Sequence, residues 1–142
     1  MTASVDATRP IAIHPVQAFL LAGTFTLLMG AVCNDIAYWS TYQVQWTNFA
    51  SWLIAGGLVF GGLTLLLALL GLRHASRRRR RFLVYFLLLL ASWVLGLINA
   101  LVHARDAWAA MPEGLVLSVV VALLAGAATW LGFSGLRTGE PA

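Results

Sequence analysis

Residues 49–103 decide the fold: FASWLIAGGLVFGGLTLLLALLGL (49–72), RHASRRRRR (73–81) and FLVYFLLLLASWVLGLINALVH (82–103). Two apolar runs enclose a short basic segment. Each run is long enough to cross a membrane, because about 20 helical residues span the hydrocarbon core. The stretch therefore predicts two antiparallel membrane-spanning helices joined by an arginine-rich loop.

Two further apolar runs flank this pair, at residues 16–36 and 114–136. None of the four runs shows the period-two alternation of membrane strands. We therefore predict an all-α integral membrane fold, a four-transmembrane-helix antiparallel bundle. It forms a single domain over residues 1–142, with a flexible tail at 1–13 and a second tail at 137–142. The first run exceeds the apolar core of a signal peptide, so it is interpreted as a retained span.

The composition excludes other classes of protein. Hydrophobic residues make up 61% of the chain and charged residues 10%, with a mean hydropathy of +0.86. A soluble domain carries about a quarter charged residues, and a disordered chain has low hydrophobicity. The single cysteine, Cys33, excludes an internal disulfide and a cysteine-cluster metal site.

The arginines predict an orientation. With four spans, both tails and the second loop share one side of the membrane, and only Arg105 lies on the other side. Eight of the nine arginines lie on the shared side. The positive-inside rule then places both termini and the basic loop in the cytoplasm. The cytoplasmic anchor consists of Arg77, Arg78, Arg79, Arg80 and Arg81. Such a cluster beside a span indicates topology and attraction to anionic lipid, and no nucleic-acid partner is expected.

Small residues recur at steps of three and four along the spans, which keeps them on one helix face. The glycines assigned to helix packing are Gly57, Gly61, Gly96 and Gly132. Close packing of neighbouring helices is the favoured interpretation, because small residues let membrane helices approach each other. The alternative is a homo-oligomer interface through the Gly57-xxx-Gly61 motif.

Polar residues gather near the ends of the first and third spans. These ends lie on the same, non-cytoplasmic side because the two helices run in the same direction. The predicted polar cluster contains Asn34, Asp35, Asn99, His103, Arg105 and Asp106, roofed by Trp39 and Trp108. One interpretation is a small site, either a proton-active His–Asp pair or a ligand pocket. The other, favoured by partial solvation at span ends, is a hydrogen-bonded clasp between the two hairpins.

Cofactor and enzyme chemistry have little support in the sequence. Membrane bundles hold haem between histidines on facing helices. His14 and His74 fall on one side and His103 on the other, so only the first two are candidate ligands for haem b. No cofactor and no metal site are predicted, since zinc has too few ligands at one depth. No catalytic motif of the GxSxG or HExxH type is present, so an enzyme is not expected.

The chain resembles an uncharacterised bacterial membrane family, domain of unknown function 2231. The resemblance is carried by His14-Pro15, by Asp35 followed by Tyr38-Trp39, by the loop string His103-Ala104-Arg105-Asp106-Ala107-Trp108, and by Pro112. It extends from about His14 to Leu136 and implies a four-span inner-membrane protein of unknown activity. Relatives sometimes accompany redox modules. This chain has one His-Pro pair where the family often has two, and it lacks the histidine that many members carry near the start of the third span.

Three functions remain open at this point. The first is a structural or interaction subunit that acts through a membrane partner or as a homo-oligomer. The alternative is a haem- or quinone-binding redox module, with a membrane redox partner. The third is a small transporter, although no ionisable residue lies in the middle of a span. The lipid bilayer is the one partner that all three share.

Overall fold

The computed structural model describes residues 14–72 and 79–137 of the chain. The helices are α1 (Pro15–Thr41), α2 (Val44–Leu72), α3 (Arg79–His103), α4 (Ala107–Ala110) and α5 (Glu113–Arg137). Four of these helices, α1, α2, α3 and α5, are long and apolar enough to cross a membrane, and no strand occurs in the described ranges. The predicted all-α fold with four membrane-spanning helices is confirmed. His74, Arg77, Arg78 and the greater part of both tails lie outside the described residues.

Each predicted span lies inside one long helix, and the helices extend beyond the apolar runs. The largest difference is at the first loop. α1 continues to Thr41 and α2 begins at Val44, so only Tyr42 and Gln43 separate them. Tyr42 ends α1 because its φ of 54° is left-handed, while its N–H still donates to the carbonyl of Tyr38 at 2.7 Å. The length of an apolar run indicates how much of a helix lies in the hydrocarbon core. The helix itself ends only where the backbone leaves helical geometry, which can be farther along the chain.

The four long helices form a ring of neighbours. α1 packs against α2 and α5, and α3 packs against α2 and α5. α1 and α3 begin at the end of the bundle that carries Arg80 and Arg81, which we call the arginine end. They finish at the opposite end, which we call the Asp35 end. Arg80 and Arg81 therefore lie at one end of the bundle, and Asp35 lies at the other.

Glycines of α2 bring it close to α1. A Cβ atom on Gly57 would lie 2.9 Å from Cδ2 of Leu28, and one on Gly61 would lie 3.3 Å from Cγ2 of Thr24. Both glycines are buried. The Gly57-xxx-Gly61 face is therefore occupied by α1 of the same chain.

α2 also accommodates a tryptophan of α3. The indole Nε1 of Trp93 donates to the carbonyl of Leu58 at 2.9 Å, and a Cβ on Gly62 would lie 3.2 Å from that nitrogen. A Cβ on Gly96 would lie 3.1 Å from Cδ2 of Leu58, so the two helices are also close at this height. Gly132 is half-buried on α5.

Candidate functional site

Four polar side chains meet inside the Asp35 end, and we call them the polar ring: Asp35 of α1, Asn99 and His103 of α3, and Ser118 of α5. Asp35 and Asn99 have no exposed surface, Ser118 is 2% exposed and His103 is 7% exposed. Buried polar groups in a membrane span require partners within the protein, since lipid offers none. Here the ring residues partner one another.

The hydrogen bonds close into a cycle. Nε2 of His103 lies 2.9 Å from Oδ1 of Asp35, and Oγ of Ser118 donates to Oδ2 of Asp35 at 2.5 Å. Nδ2 of Asn99 donates to Oγ of Ser118 at 2.8 Å. Nδ1 of His103 lies 3.0 Å from the carbonyl oxygen of Asn99, which returns the cycle to its start. Three helices are joined through four side chains.

The partners of His103 determine how its protons are placed. The carbonyl of Asn99 can only accept, so Nδ1 carries a hydrogen and donates to it. Nε2 and Asp35 then share one further proton, either as imidazolium with carboxylate or as neutral imidazole with carboxylic acid. The pair has no net charge in either arrangement, which lowers the cost of burying it away from water.

The spacing of residues along α3 and α5 brings the side chains of the polar ring together. Asn99 and His103 are four residues apart, so their side chains lie on one face of α3. On α5, Gly114 makes room for the imidazole, because a Cβ at this position would lie 2.8 Å from Cε1 of His103. Gly114 is buried, and it is one turn before Ser118. The start of α5 therefore packs directly on the histidine ring.

The structure brings Asp35, Asn99 and His103 together but leaves three residues of the predicted cluster outside. Asn34 donates to the carbonyl of Gly30 in its own helix at 2.7 Å. Arg105 lies 3.7 Å from Glu113, and both side chains are mostly exposed. Asp106 is exposed and precedes α4 without capping it through its side chain. Asn34 is one residue from Asp35, which turns it about 100° around the helix.

Ser118 is the ring member that the sequence interpretation did not assign to the cluster. A serine at the same depth as Asn99, on an antiparallel helix, is the signal that could have identified it.

The two tryptophans predicted to cover the polar cluster are exposed. Trp39 is 50% exposed and Trp108 is 77% exposed. Trp108 stacks on Tyr42, with ring centroids 6.1 Å apart and an interplanar angle of 17°. These rings sit at the outer edge of the Asp35 end, where aromatic side chains favour the headgroup region.

One side-chain atom of the polar ring has no hydrogen-bond partner. Within the described residues, Nε1 of Trp46 and Oδ1 of Asn99 are the two buried side-chain atoms without a hydrogen-bond partner. All other polar side-chain atoms of the polar ring are paired, so the side-chain amide oxygen of Asn99, Oδ1, is its single free side-chain acceptor.

The order of groups in the ring differs from that of a hydrolase. In a Ser–His–Asp triad the histidine stands between the other two and removes the proton of the serine. Here Asp35 stands between Ser118 and His103, so the serine donates to a carboxylate and is not activated by the imidazole. The arrangement links α1, α3 and α5 by hydrogen bonds and does not have the order of a Ser–His–Asp triad.

Of the two predicted haem ligands, His14 lies within the residues that the structure describes and His74 lies outside them, so the haem prediction stays a prediction. Both ring nitrogens of His103 are engaged in the polar ring. His14 is exposed at the arginine end, where its Nδ1 accepts from the N–H of Val16 at 3.3 Å. Across residues 14–72 and 79–137, no three His, Cys, Asp or Glu side chains gather as a metal-binding group.

A small cavity lies in the middle of the bundle between α1, α2 and α3. Its volume is about 10 Å³, which is enough for one water molecule. The hydroxyls of Thr24 and Ser92 are among its lining groups, and both donate to helix carbonyls. The cavity is too small for a quinone or a haem.

The comparison with known families agrees with this architecture. The model of the family described as predicted membrane protein (DUF2231) matches residues 10–135. No curated protein and no solved structure matches the chain. The match covers most of the sequence, and the chain belongs to the DUF2231 family.

Proposed function

We propose that this DUF2231 member is a structural or interaction subunit of a membrane, acting through a partner membrane protein or through its own oligomer. The observation that carries the proposal is the closure of the polar ring. Asp35 is hydrogen-bonded to both His103 and Ser118. The residues best suited to proton transfer or catalysis are therefore engaged in contacts within the fold.

The ring suits a role in specifying helix arrangement. Van der Waals packing alone tolerates sliding and rotation of apolar helices, since lipid is as apolar as their surfaces. A hydrogen-bonded set can be satisfied at only one height and one rotation of α1, α3 and α5. Buried polar groups have this registering role in other helical assemblies. A bundle fixed in this way presents constant outer faces to a neighbour.

The location proposed for the subunit is a bacterial inner membrane, with both termini in the cytoplasm. The arginine distribution supports this orientation, because the arginine end would face the cytoplasm. The exposed rings of Trp39 and Trp108 at the Asp35 end support a second interface there.

The proposal is tested by crosslinking in the native membrane. Cys33 is the single cysteine and is exposed, so it is first replaced by serine. Single cysteines are then placed at one exposed position per long helix: Ile36, Val59, Leu101 and Leu123. A subunit gives a defined crosslinked product from one or two of these faces, at the same ratio in repeated preparations. The other faces act as matched controls because they meet lipid.

Absence of a defined product from all four faces would contradict the proposal. A mass of one 15.3 kDa chain by light scattering in both detergent and nanodiscs would exclude the homo-oligomer and leave a partner membrane protein as the remaining form of the proposal. Visible absorption of the same sample tests the redox alternative. A Soret band that shifts on reduction, at about one haem per chain, would replace the subunit proposal with haem binding.

A further inference from the structure

The arginine end concentrates positive charge away from the acids of the chain. Between residues 36 and 104 the sequence has six arginines and no aspartate or glutamate. The acids that the structure describes are Asp35, Asp106 and Glu113. All three lie at the Asp35 end, so no carboxylate of the described residues neutralises Arg80 or Arg81.

Arg81 is held in place between two helices. Its Nη2 donates to Oγ of Ser134 at 2.6 Å, and Oγ of Ser134 donates to the carbonyl of Leu131 at 3.2 Å. A guanidinium has five N–H donors in a fixed plane, and this bond uses one of them. Ser134 therefore orients Arg81 while leaving donors for an anion.

The surroundings of Arg81 are apolar on the membrane side. Phe82 and Phe133 are partly buried and pack against the core cluster at this end. Trp130, one turn before Ser134 on α5, is 72% exposed. Apolar and aromatic residues therefore adjoin Arg81 along α3 and Ser134 along α5, as expected where a lipid headgroup lies above its acyl chains.

The N-terminus of α3 also favours an anion next to Arg80 and Arg81. α3 begins at Arg79, so Arg80 and Arg81 lie in its first turn. Positive side chains there oppose the helix dipole, whereas an anion interacts favourably with both the dipole and the guanidinium groups.

We propose that Arg80 and Arg81, the latter positioned by Ser134, bind the phosphodiester group of an anionic phospholipid. Guanidinium groups match phosphate oxygens in a bidentate geometry. Bound lipid would supply the negative charge that this end of the bundle lacks and would link α3 to α5 at the headgroup level. The site is independent of the polar ring and of any protein partner.

Native mass spectrometry of the full chain in a neutral detergent tests the site. Phosphatidylglycerol and phosphatidylcholine of identical acyl chains are titrated separately. We expect the unchanged protein to bind phosphatidylglycerol at least several-fold more tightly. Arg80→Gln and Arg81→Gln should each weaken phosphatidylglycerol binding about five-fold, the contribution of one arginine near an anionic surface. Arg80 is exposed, so its replacement leaves the fold intact.

Arg105→Gln is the matched control, because Arg105 is an exposed arginine at the opposite end. It should leave phosphatidylglycerol binding unchanged, and an equal loss would overturn the site in favour of general charge attraction. Arg81→Lys keeps the charge but loses the planar donors, so it should bind more weakly than the unchanged chain. Competition by millimolar inorganic phosphate would overturn the lipid assignment. Finally, Asp6→Asn with Glu140→Gln should leave binding unchanged, and a gain would assign the arginines to the tail carboxylates instead.

Discussion

Oδ1 of Asp35 in α1 lies 2.9 Å from Nε2 of His103 in α3, although the two residues are 68 positions apart. Both side chains are fully shielded from the surroundings. α1 and α3 are diagonal in the ring of neighbouring helices, so the contact spans the interior of the bundle. Ser118 of α5 completes it from a third side.

A double-mutant cycle on this pair should reveal strong coupling. Asp35→Ala and His103→Ala each leave a buried polar partner unsatisfied, at about 2 kcal/mol of unfolding free energy per variant. The double variant should lose less than the sum, with a coupling of at least about 1 kcal/mol. Detergent-induced unfolding followed by circular dichroism measures all three. Asp106→Asn, at an exposed acid, is the control, and a coupling near zero would show that the pair does not form.

Replacement of Gly114 by alanine should disturb the polar ring without removing any polar group. The new Cβ would lie 2.8 Å from Cε1 of His103 and 3.3 Å from its Nδ1. The imidazole is rigid and held at both nitrogens, so overpacking should cost about 1–3 kcal/mol. The thermal unfolding midpoint reports the loss. Gly71→Ala is the matched control, because nothing lies within 4 Å of its Cβ position, and it should keep or raise the midpoint. Equal midpoints for the two variants would contradict the predicted contact.

Gly57→Ile should destabilise the single chain and not its association. Leu28 of α1 fills the space next to Gly57, with its Cδ2 and Cγ atoms 2.9 and 3.0 Å from where a Cβ on Gly57 would lie. The larger side chain would push α1 and α2 apart and lower the thermal midpoint by several degrees, at a cost of about 1–3 kcal/mol. Ala55→Ile, on the exposed face of the same helix, should have little effect. If Gly57→Ile changed the oligomeric mass and left the midpoint unchanged, the motif would be an interface between chains.

Trp93→Phe should cost about 1 kcal/mol of unfolding free energy through one lost hydrogen bond. The indole Nε1 of Trp93 donates to the carbonyl of Leu58 at 2.9 Å, and phenylalanine keeps most of the aromatic packing. Trp130→Phe is the control, because Trp130 is 72% exposed. Chemical unfolding of the two variants in the same detergent compares them. A loss in Trp130→Phe as large as that in Trp93→Phe would assign the effect to ring size.

The proposed orientation gives a prediction in cells. A fluorescent reporter fused after Ala142 should fluoresce, and a phosphatase fused at the same position should stay inactive, because both report a cytoplasmic terminus. Fusions within the segment between α3 and α5, after Arg105, should give the opposite pattern. A periplasmic signal after Ala142 would refute the orientation.

The sequence alone determined the class of fold and the number of spans. Crossing a bilayer requires about 20 apolar residues in a continuous helix, and that requirement is local, so each span is visible in its own run. The sequence also indicated that Asp35, Asn99 and His103 lie at one end, because alternating helix directions fix the depth of each residue.

Only the tertiary structure decided which polar residues meet. Depth does not specify how a helix is rotated about its axis, and adjacent residues such as Asn34 and Asp35 point about 100° apart. That rotation follows from close packing between helices, here at Gly57 and Gly114, where a side chain of the neighbour takes the place of a Cβ. Asp35 therefore faces His103 and Ser118, while Asn34 bonds to its own helix.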